Sequence, residues 1–489
     1  MTTTNTTSKT PSSTQNRPKA GLMLIAAGIF RDRGTGTPRG SFHERMTPWV
    51  DQFNNTLGQE MDVVFPGVIY DQADLHRAMK QFQEEKVDFV VLQYLSWAPD
   101  SHWIEFLRDM TDVPILFAYI YPEKMSFTKI VTDDDFIELF CMSSLVGTLE
   151  ATGSIKRVGT KNVTSVVGNF ERVLGEIRRF GRAAAARSGL RRATIGLVGS
   201  FNPVMKSTYV DPYAIFTHLG PQIQFIGFSD LALEIAEISD ADAKAYVARL
   251  RSQYQVMPDV DEVKFLESAR ASLALAQLAA KNNLQVMTLN DVDLALQRAI
   301  GLRPGFYPEW FFENRCPLLP EGEVAASIAA YMLQKVSDQH VNYMEPHCID
   351  AEHDCFVAQH LGPNDYTDPV WAKRVQIATN TLNAKAACKY PGAAFGKYRF
   401  SPGLKTALHV SECRGTFKMV FTLLDSLDGD HFMEGYSHGI MRPHLPMDSF
   451  FEQLMEIGIT QHFLIADGDW RPELRFLGKI TGMEVHSIE

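Results

Sequence analysis

Residues 88–92 read Asp88-Phe89-Val90-Val91-Leu92, with four apolar side chains in unbroken succession. A strand that is apolar at every position buries both faces, which is typical of a parallel sheet covered by helices. Similar strands are predicted at residues 22–27, 62–66 and 115–121, and helical spacing at 48–57 and 74–85 lies between them. This alternation predicts an α/β domain over residues 21–158.

The alternation returns further along the chain, after a polar helical bridge predicted at residues 133–189. Strands are predicted at 193–200, 223–229 and 284–289, with helices at 231–239, 240–254 and 260–281, which gives a second α/β domain over 159–338. Short strand signals with scattered Gly and Pro predict a mostly β domain over 339–489. The predicted fold class is therefore α/β: two Rossmann-like, doubly wound parallel-sheet domains followed by a mostly β C-terminal domain.

The N-terminus permits two interpretations. Residues 1–20 are rich in Ser and Thr and predict a disordered tail. The basic residues Arg17 and Lys19 and the apolar run that follows them imitate a secretion signal, but no clear small-residue cleavage site follows. We favour the interpretation of this run as the first buried strand of the α/β domain.

Composition limits the compartment and the partners. The net charge is −11 and no long basic run occurs, so neither nucleic acid nor an anionic membrane is an expected partner. Six cysteines are scattered without framework spacing, which favours free thiols in a reducing compartment. No apolar run reaches the length of a membrane span. These features predict a cytoplasmic protein.

Two glutamates with a helix and a strand between them are the first candidate site. Glu321 follows Pro320 and opens an Ala-rich helical stretch, and a short strand-like run then leads to Glu345. If the strand folds back beside the helix, the two carboxylates meet at one end. Converging carboxylates can hold a divalent metal or act as acid and base. By spacing alone, two ordinary surface glutamates remain the alternative.

Two histidines extend this candidate site. A hairpin whose loop is residues 351–354 pairs Asp350 with Cys355, and counting outward places Glu345 opposite His360. A loop one residue different would place them on opposite faces, so a metal site requires that register or a bulge. His462 opens an apolar strand near the C-terminus, where a lone histidine is more often a core residue. Oxygen ligands with one or two imidazoles suit Mn²⁺ or Mg²⁺ better than structural zinc.

At these residues the chain resembles the L-arabinose isomerase and L-fucose isomerase families. Their Glu-Gly-Asp helix start is similar to residues 321–323, their Phe-Met-Glu-Asp segment to residues 343–346, and their Gly-x-x-His-His segment to residues 458–462. The resemblance implies a metal site of Glu321, Glu345, His360 and His462, in which both glutamates also carry proton transfer. It further implies Mn²⁺ as the cofactor, with Mg²⁺ or Co²⁺ possible, and a homo-oligomer (trimer, tetramer or hexamer).

Three positions depart from the pattern of these families. The sugar-contacting loop of arabinose isomerases is replaced by residues 28–33, their His-Gly pair aligns with Val146-Gly147, and the first of their paired C-terminal histidines is Gln461. All three concern substrate recognition more than the metal, so they bear on the identity of the sugar before they bear on the chemistry.

The predicted function is a metal-dependent aldose–ketose isomerase that acts on a pentose, a hexose or a related sugar through an enediol intermediate. The alternative is a non-catalytic sugar-binding protein with two α/β domains. An oxidoreductase is disfavoured because the glycine fingerprint of a dinucleotide site is missing. In either case the predicted partner is a small-molecule sugar. The sequence leaves open which glutamate is the base, and whether a proton or a hydride moves.

Overall fold

The structure is a computed structural model that describes residues 17–159, 162–293, 296, 305–362, 364–366, 374–379, 393–433 and 435–489. The chain divides into two compact units, Met1–Ala185 and Ala186–Glu489. Most of the predicted disordered tail lies outside the described residues. The division into domains at residues 158 and 338 stays a prediction.

The first unit contains a parallel sheet of five strands in the order β2-β1-β3-β4-β5. The strands are β1 (Lys19–Ile25), β2 (Asp62–Val64), β3 (Phe89–Tyr94), β4 (Ile115–Ile120) and β5 (Val163–Gly168). The helices are α1 (Phe42–Gly58), α2 (Gln72–Glu84), α3 (Ser101–Asp109), α4 (Asp133–Met142), α5 (Ser144–Val158) and α6 (Phe170–Leu190), the last of which crosses the unit boundary. All side chains of β3 are buried, as its apolar run predicts.

One strand of this sheet corrects the prediction of a continuous helical bridge at residues 133–189. The strand β5 interrupts that bridge and pairs in parallel with β4 over its whole length. It lies at the sheet edge, and its middle positions from Ser165 to Val167 are partly or fully exposed. An edge strand does not need two apolar faces, so it lacks the unbroken apolar run that marks the central strands.

The second unit begins with a parallel sheet of four strands in the order β10-β9-β6-β7. Its strands are β6 (Thr194–Val198), β7 (Gln222–Ile226), β9 (Val286–Leu289) and β10 (Leu318–Leu319), and the short strand β8 (Gln255–Val256) belongs to a separate sheet. The helices of this part are α7 (Pro212–Ala214, continued by a π-helical turn at Ile215–Leu219), α8 (Phe228–Glu237), α9 (Asp240–Gln253), α10 (Glu262–Lys281) and α11 (Glu309–Glu313).

Beyond residue 341 the second unit is mostly antiparallel. Six strands pair in the order β15-β18-β11-β12-β17-β16, and β16 pairs back onto β15, so that the sheet closes on itself. The strands of this region are β11 (Asn342–Asp350), β12 (Cys355–His360), β13 (Gln376–Thr379), β14 (Ala394–Lys397), β15 (Gly403–Cys413), β16 (Thr416–Leu427), β17 (Ser437–Pro443), β18 (Phe463–Asp467) and β19 (Glu484–Ile488). The strand β19 adds to β16 in parallel, and β8, β13 and β14 form a three-stranded sheet.

The two predicted parallel sheets and the C-terminal β region are therefore confirmed, while the Rossmann-like classification stays a prediction. The remaining helices among the described residues of the second unit are α12 (Val324–Ser337), α13 (Met447–Ile457) and α14 (Arg471–Thr481). None of the described helices combines the length and the apolar content that a membrane crossing requires.

The helix α12 connects the two kinds of sheet within the second unit. It contacts β15 and β18 of the closed sheet and also β9 of the parallel sheet. Nearly every residue of α12 is buried, which suits a helix that is apolar on all sides. It begins at Val324, not at Glu321 as the Ala-rich pattern predicts, because the backbone at Glu321 and Gly322 is left-handed, with φ of 69° and 66°.

Candidate metal centre

Glu321 lies at the carboxyl edge of the parallel sheet β10-β9-β6-β7. It follows β10 by two residues, Asp291 follows β9 by two, and Ser200 follows β6 by two. Carboxyl ends of parallel strands share one edge, which is where open α/β sheets commonly place their ligands. The backbone N–H of Glu321 donates to Asp291 Oδ1 at 3.0 Å. A buried carboxylate on the neighbouring loop therefore fixes the position of Glu321.

The turn that carries Glu321 is conformationally costly. Glu321 has φ of 69°, a left-handed conformation that costs an ordinary residue roughly 1–2 kcal/mol. The next residue, Gly322, is also left-handed, and a Cβ built on it would lie 2.8 Å from the Ser200 carbonyl oxygen and 3.0 Å from Asn290 Cβ. Only glycine fits at this position. Backbone strain of this kind is concentrated at functional sites.

The hairpin β11–β12 corrects the predicted register of Glu345. Asp350 pairs with Cys355 as predicted, but the ladder shifts between Pro346 and Cys348, and Glu345 pairs with Gln359 instead of His360. This bulge accommodates a proline inside a strand. Because directly opposed side chains share a face, Gln359 Nε2 donates to Glu345 Oε1 at 2.7 Å.

Three of the four predicted ligands converge. Glu321 Oε1 lies 3.8 Å from His360 Nε2, and Glu321 Oε2 lies 3.5 Å from His462 Nε2. The three residues are buried, and their ligand atoms all lie within 4.8 Å of one another. Two atoms bound to one ion at about 2.1 Å are roughly 3.0 Å apart at a right angle and 4.2 Å apart when opposite. The separations of 3.8 and 3.5 Å between Glu321 and the two histidines lie within this range, so they suit a shared divalent cation.

Glu345 lies beside this group but is not part of it. Its Oε2 is 3.7 Å from His462 Nε2, and its side chain retains 28% exposure, against 9% for Glu321. Its other carboxylate oxygen accepts the hydrogen bond from Gln359. The bulge thus places Glu345 at the rim of the group, where a ligand can reach it. Whether Glu345 is itself a metal ligand stays a prediction.

The imidazole tautomers agree with metal binding through Nε2. His360 Nδ1 donates to the Leu361 carbonyl oxygen at 2.7 Å, and His462 Nδ1 donates to Glu323 Oε2 at 2.5 Å. A ring that donates from Nδ1 presents a lone pair at Nε2 when it is neutral. The Nε2 atom of His462 is buried and has no hydrogen-bond partner among the described residues. A buried, unsatisfied acceptor beside a carboxylate is what a cation would satisfy.

Neighbouring carboxylates dominate the electrostatic environment of the His462 and Tyr343 rings. Burial on its own would lower the pKa of His462, but the adjacent Glu323 carboxylate, assisted by Glu321 and Glu345, raises that pKa above its usual 6.5. Burial and the same carboxylates raise the pKa of Tyr343 well above 10, so this phenol stays neutral. The site therefore attracts positive charge, whether a proton or a metal ion.

Glu323 is the functional residue that sequence reasoning missed. It is 1% exposed, and its Oε2 accepts hydrogen bonds from both His462 Nδ1 and the Tyr343 hydroxyl, the latter at 2.8 Å. The Tyr343 ring also packs against His360 and His462, with ring centroids 4.4 and 4.6 Å apart. The available signal was the second acid of Glu321-Gly322-Glu323, directly before a buried helix.

Gln461, one of the positions that depart from the isomerase pattern, belongs to the same unit as these ligands. Gln461 is exposed, and its Nε2 contacts Met205 Sδ at 3.1 Å. Val146 is 58% exposed on α5 of the first unit. Gly147, which follows it, is closely packed, since a Cβ there would lie 2.6 Å from Tyr94 Cδ1. Gln461 is not a member of the Glu–His–His group, although it directly precedes His462.

A buried carboxylate and two buried imidazoles, with a second carboxylate at the rim, form a group that could hold a metal ion within an α/β protein. No family model matches the chain. The chain is similar to L-arabinose isomerase of Levilactobacillus brevis, with 22% identity over 389 residues that cover 77% of this chain and 79% of that protein. This similarity is a distant relationship to a protein named as a sugar isomerase. The likeness to L-fucose isomerases stays a prediction.

Proposed function

We propose that this protein is a metal-dependent aldose–ketose isomerase that acts on a pentose or a hexose. The observation that carries the proposal is the convergence of Glu321, His360 and His462, whose ligand atoms lie within 4.8 Å of one another, with the Glu345 carboxylate 3.7 Å from His462. A relative named as a sugar isomerase supports the choice of reaction. The two imidazoles and the oxygen ligands favour Mn²⁺, with Mg²⁺ or Co²⁺ as alternatives.

The proposed reaction moves two hydrogens and leaves the composition of the sugar unchanged. A proton leaves C2 of the aldose and a proton is delivered to C1, while the hydrogen of the C2 hydroxyl passes to the C1 oxygen. A bound divalent cation would act as a Lewis acid that polarises the sugar carbonyl and makes the C–H proton more acidic.

Glu345 is the proposed base, because of the two carboxylates it is the more accessible to a ligand. Gln359 donates to one of its oxygens and fixes its orientation, which leaves the oxygen near His462 to accept a proton. Glu321 is more deeply buried between the two imidazoles, and its proposed role is to bind the ion and assist the transfer between oxygens. Glu323 and the Leu361 carbonyl hold the imidazoles in the tautomer that ligation needs.

The decisive experiment combines metal analysis with a sugar screen. Purified protein is assayed for bound Mn²⁺, stripped with chelator, and incubated with a panel of pentoses and hexoses with and without added Mn²⁺. We expect ketose formation that depends on the ion. Glu345→Gln should lower kcat at least 100-fold while the protein retains Mn²⁺, since removing a general base typically costs 10²–10⁴ in rate.

Two results would reject this function. Turnover that persists after complete chelation would exclude the metal role, and a fully active Glu345→Gln protein would exclude the proposed base. Sugar binding without conversion, with or without Mn²⁺, would favour the non-catalytic sugar-binding alternative. The homo-oligomer implied by the resemblance is also proposed, and sedimentation of the purified protein tests it separately.

A further inference from the structure

A polar cavity opens on the face of β11 that points away from the candidate metal centre. Its volume is about 340 Å³, and its walls include Asn342 at the start of β11 and Asp467 at the end of β18. Successive residues of a strand point to opposite faces. Tyr343 faces Glu323 and the two histidines, so Asn342, which precedes it, faces the cavity. The cavity is therefore separate from the candidate metal centre.

Charged side chains that are nearly inaccessible to solvent line this cavity. The side chain of Lys405 is 2% exposed, forms an ion pair with Asp467 and donates to Ser401. Arg399 is also 2% exposed; its terminal nitrogens donate to two backbone carbonyls, but its Nε has no acceptor among the described residues. Burying charge is costly unless partners compensate for the lost water. A fold that places two buried cations around a cavity has built a polar site.

The opposite wall supplies acceptors and hydroxyl groups. Asp365, whose side chain is 5% exposed, lies 2.6 Å from His340 Nδ1. Asn342 Nδ2 donates to the Tyr398 hydroxyl at 3.0 Å and to the Asp365 carbonyl oxygen at 2.8 Å. Asn342 and Tyr398 thus present an amide and a phenol at the cavity wall, and the phenol ring adds an apolar surface.

The wall carries little net charge. Two cations, Lys405 and Arg399, face three carboxylates, Asp338, Asp365 and Asp467, and the remaining negative charge is compensated because Asp338 also pairs with Arg315 outside the wall. A site for an anion or a cation would carry an excess of one sign. Closely spaced donors and acceptors with little net charge suit hydroxyl groups instead, because each hydroxyl both donates and accepts. The volume lies at the lower end of the range of small-molecule sites, which is about 300–1,000 Å³.

We propose that this cavity binds a neutral polyhydroxy compound of monosaccharide size, at a site distinct from the candidate metal centre. The proposal does not depend on the isomerase function. It assigns Lys405 and Arg399 as donors to the ligand hydroxyls, and Asp365, Asp467 and the Asn342 amide oxygen as acceptors.

Sugar binding to full-length protein variants tests the site. L-arabinose, D-ribose, D-galactose and sorbitol are titrated by calorimetry into the wild type and into Glu321→Gln, which impairs the candidate metal centre. Lys405→Met removes the buried cation at similar volume, and Ser401→Phe fills the cavity from its rim. Lys80→Met, at an exposed position of α2, is the matched control. Thermal unfolding establishes that each variant is folded.

The expected result is saturable binding of at least one of the four compounds that persists in Glu321→Gln and Lys80→Met. The dissociation constant should rise at least tenfold in both Lys405→Met and Ser401→Phe. Binding that Glu321→Gln abolishes but Lys405→Met and Ser401→Phe leave unchanged would place the sugar elsewhere and overturn the site. If none of the four compounds binds, or if phosphate or citrate binds more tightly than they do, the proposed ligand class is wrong.

Discussion

Glu323 Oε2 lies 2.5 Å from Nδ1 of His462, and both residues are about 1% exposed. The contact joins the start of the buried helix α12 to the start of strand β18, which are 139 residues apart in the chain. A carboxylate behind an imidazole fixes the tautomer and the ring orientation and makes Nε2 a better ligand. Glu323 is therefore a positioning residue for the candidate metal centre.

Replacing Glu323 by glutamine should weaken Mn²⁺ binding. Outer partners of metal-binding histidines typically contribute 10–100-fold in metal affinity, and the amide that replaces the carboxylate lacks its charge. We expect Glu323→Gln to raise the dissociation constant for Mn²⁺ by at least tenfold in calorimetric titration. Glu237→Gln, at an exposed position of α8, is the control and should bind as the wild type does. An unchanged affinity in Glu323→Gln would contradict the positioning role.

The parts of the fold that sequence reasoning predicted correctly have local causes. The strand Phe89–Tyr94 begins with four successive apolar residues, because both of its faces are buried. The sequence also predicts a helix over residues 471–480 that is capped near Gly482, and α14 is capped there because Gly482 adopts the left-handed φ of 73° that favours glycine. The edge strand Val163–Gly168 carries no such signal, since only part of it is buried. Burial on both faces thus gives Phe89–Tyr94 the apolar signal that the partly exposed Val163–Gly168 lacks.

The candidate site also contains features that could be predicted from the sequence and features that could not. Glu321, His360 and His462 could be proposed from their residue types and spacing, assisted by the family resemblance. A bulge was one of the two arrangements that a metal site required, but its place between Pro346 and Cys348 could not be predicted, because register depends on pairing that the hairpin sequence does not determine. Glu323 was not proposed because its role depends on a contact with a residue 139 positions away. Long-range partners of a ligand have no periodicity to detect.

Gly322 should tolerate no side chain. An added Cβ would meet the Ser200 carbonyl oxygen at 2.8 Å, and the left-handed φ of 66° strains any residue that has a Cβ. We expect Gly322→Ala to lower the free energy of unfolding by more than about 2 kcal/mol, measured by urea titration. It should also weaken Mn²⁺ binding, because Glu321 precedes it.

A matched variant separates backbone strain from the steric clash at Gly322. Gly482 has a similar φ of 73°, but an added Cβ there meets nothing within 4 Å. Gly482→Ala should therefore show the strain alone, roughly 1 kcal/mol, with normal Mn²⁺ affinity. Equal destabilisation by the two alanine variants would contradict the close packing described around Gly322.

His438 should make the stability of the protein dependent on pH. Its Nδ1 donates to the Tyr436 carbonyl, and its Nε2 accepts from the Phe432 N–H, so both nitrogens are committed as a neutral ring. Burial, the largest effect, lowers the pKa of His438 to about 4. The unfolded chain takes up a proton near pH 6.5 while the folded state does not. Stability is thus fully present above pH 6.5 and falls by roughly 3 kcal/mol towards pH 4.

Urea unfolding of the wild type and of His438→Gln at pH 7.5, 5.5 and 4.5 measures this effect. The glutamine variant does not titrate at this position, so its stability should fall less between pH 7.5 and 4.5 than that of the wild type. His76→Gln, which removes an exposed histidine on α2, is the control variant. If His438→Gln follows the same pH curve as the wild type, the neutral buried ring is not the source.

Gln359 should affect turnover without affecting metal binding, the opposite pattern to Glu323. Its Nε2 donates to Glu345 at 2.7 Å, while its buried Oε1 has no hydrogen-bond partner among the described residues. Gln359→Met has similar length and removes that unsatisfied oxygen, so stability should change by less than about 1 kcal/mol. The Glu345 carboxylate loses its fixed orientation, and a displacement of about 1 Å at a reacting group can cost up to 100-fold in rate. We expect kcat to fall at least tenfold with Mn²⁺ affinity within twofold of the wild type.

Gln334→Met is the matched control, because Gln334 is also buried with an unsatisfied Oε1 but lies on α12 away from Glu345. A loss of Mn²⁺ in Gln359→Met would instead make Glu345 a metal ligand that depends on this hydrogen bond, and equal loss of activity in Gln334→Met would make the effect one of general packing.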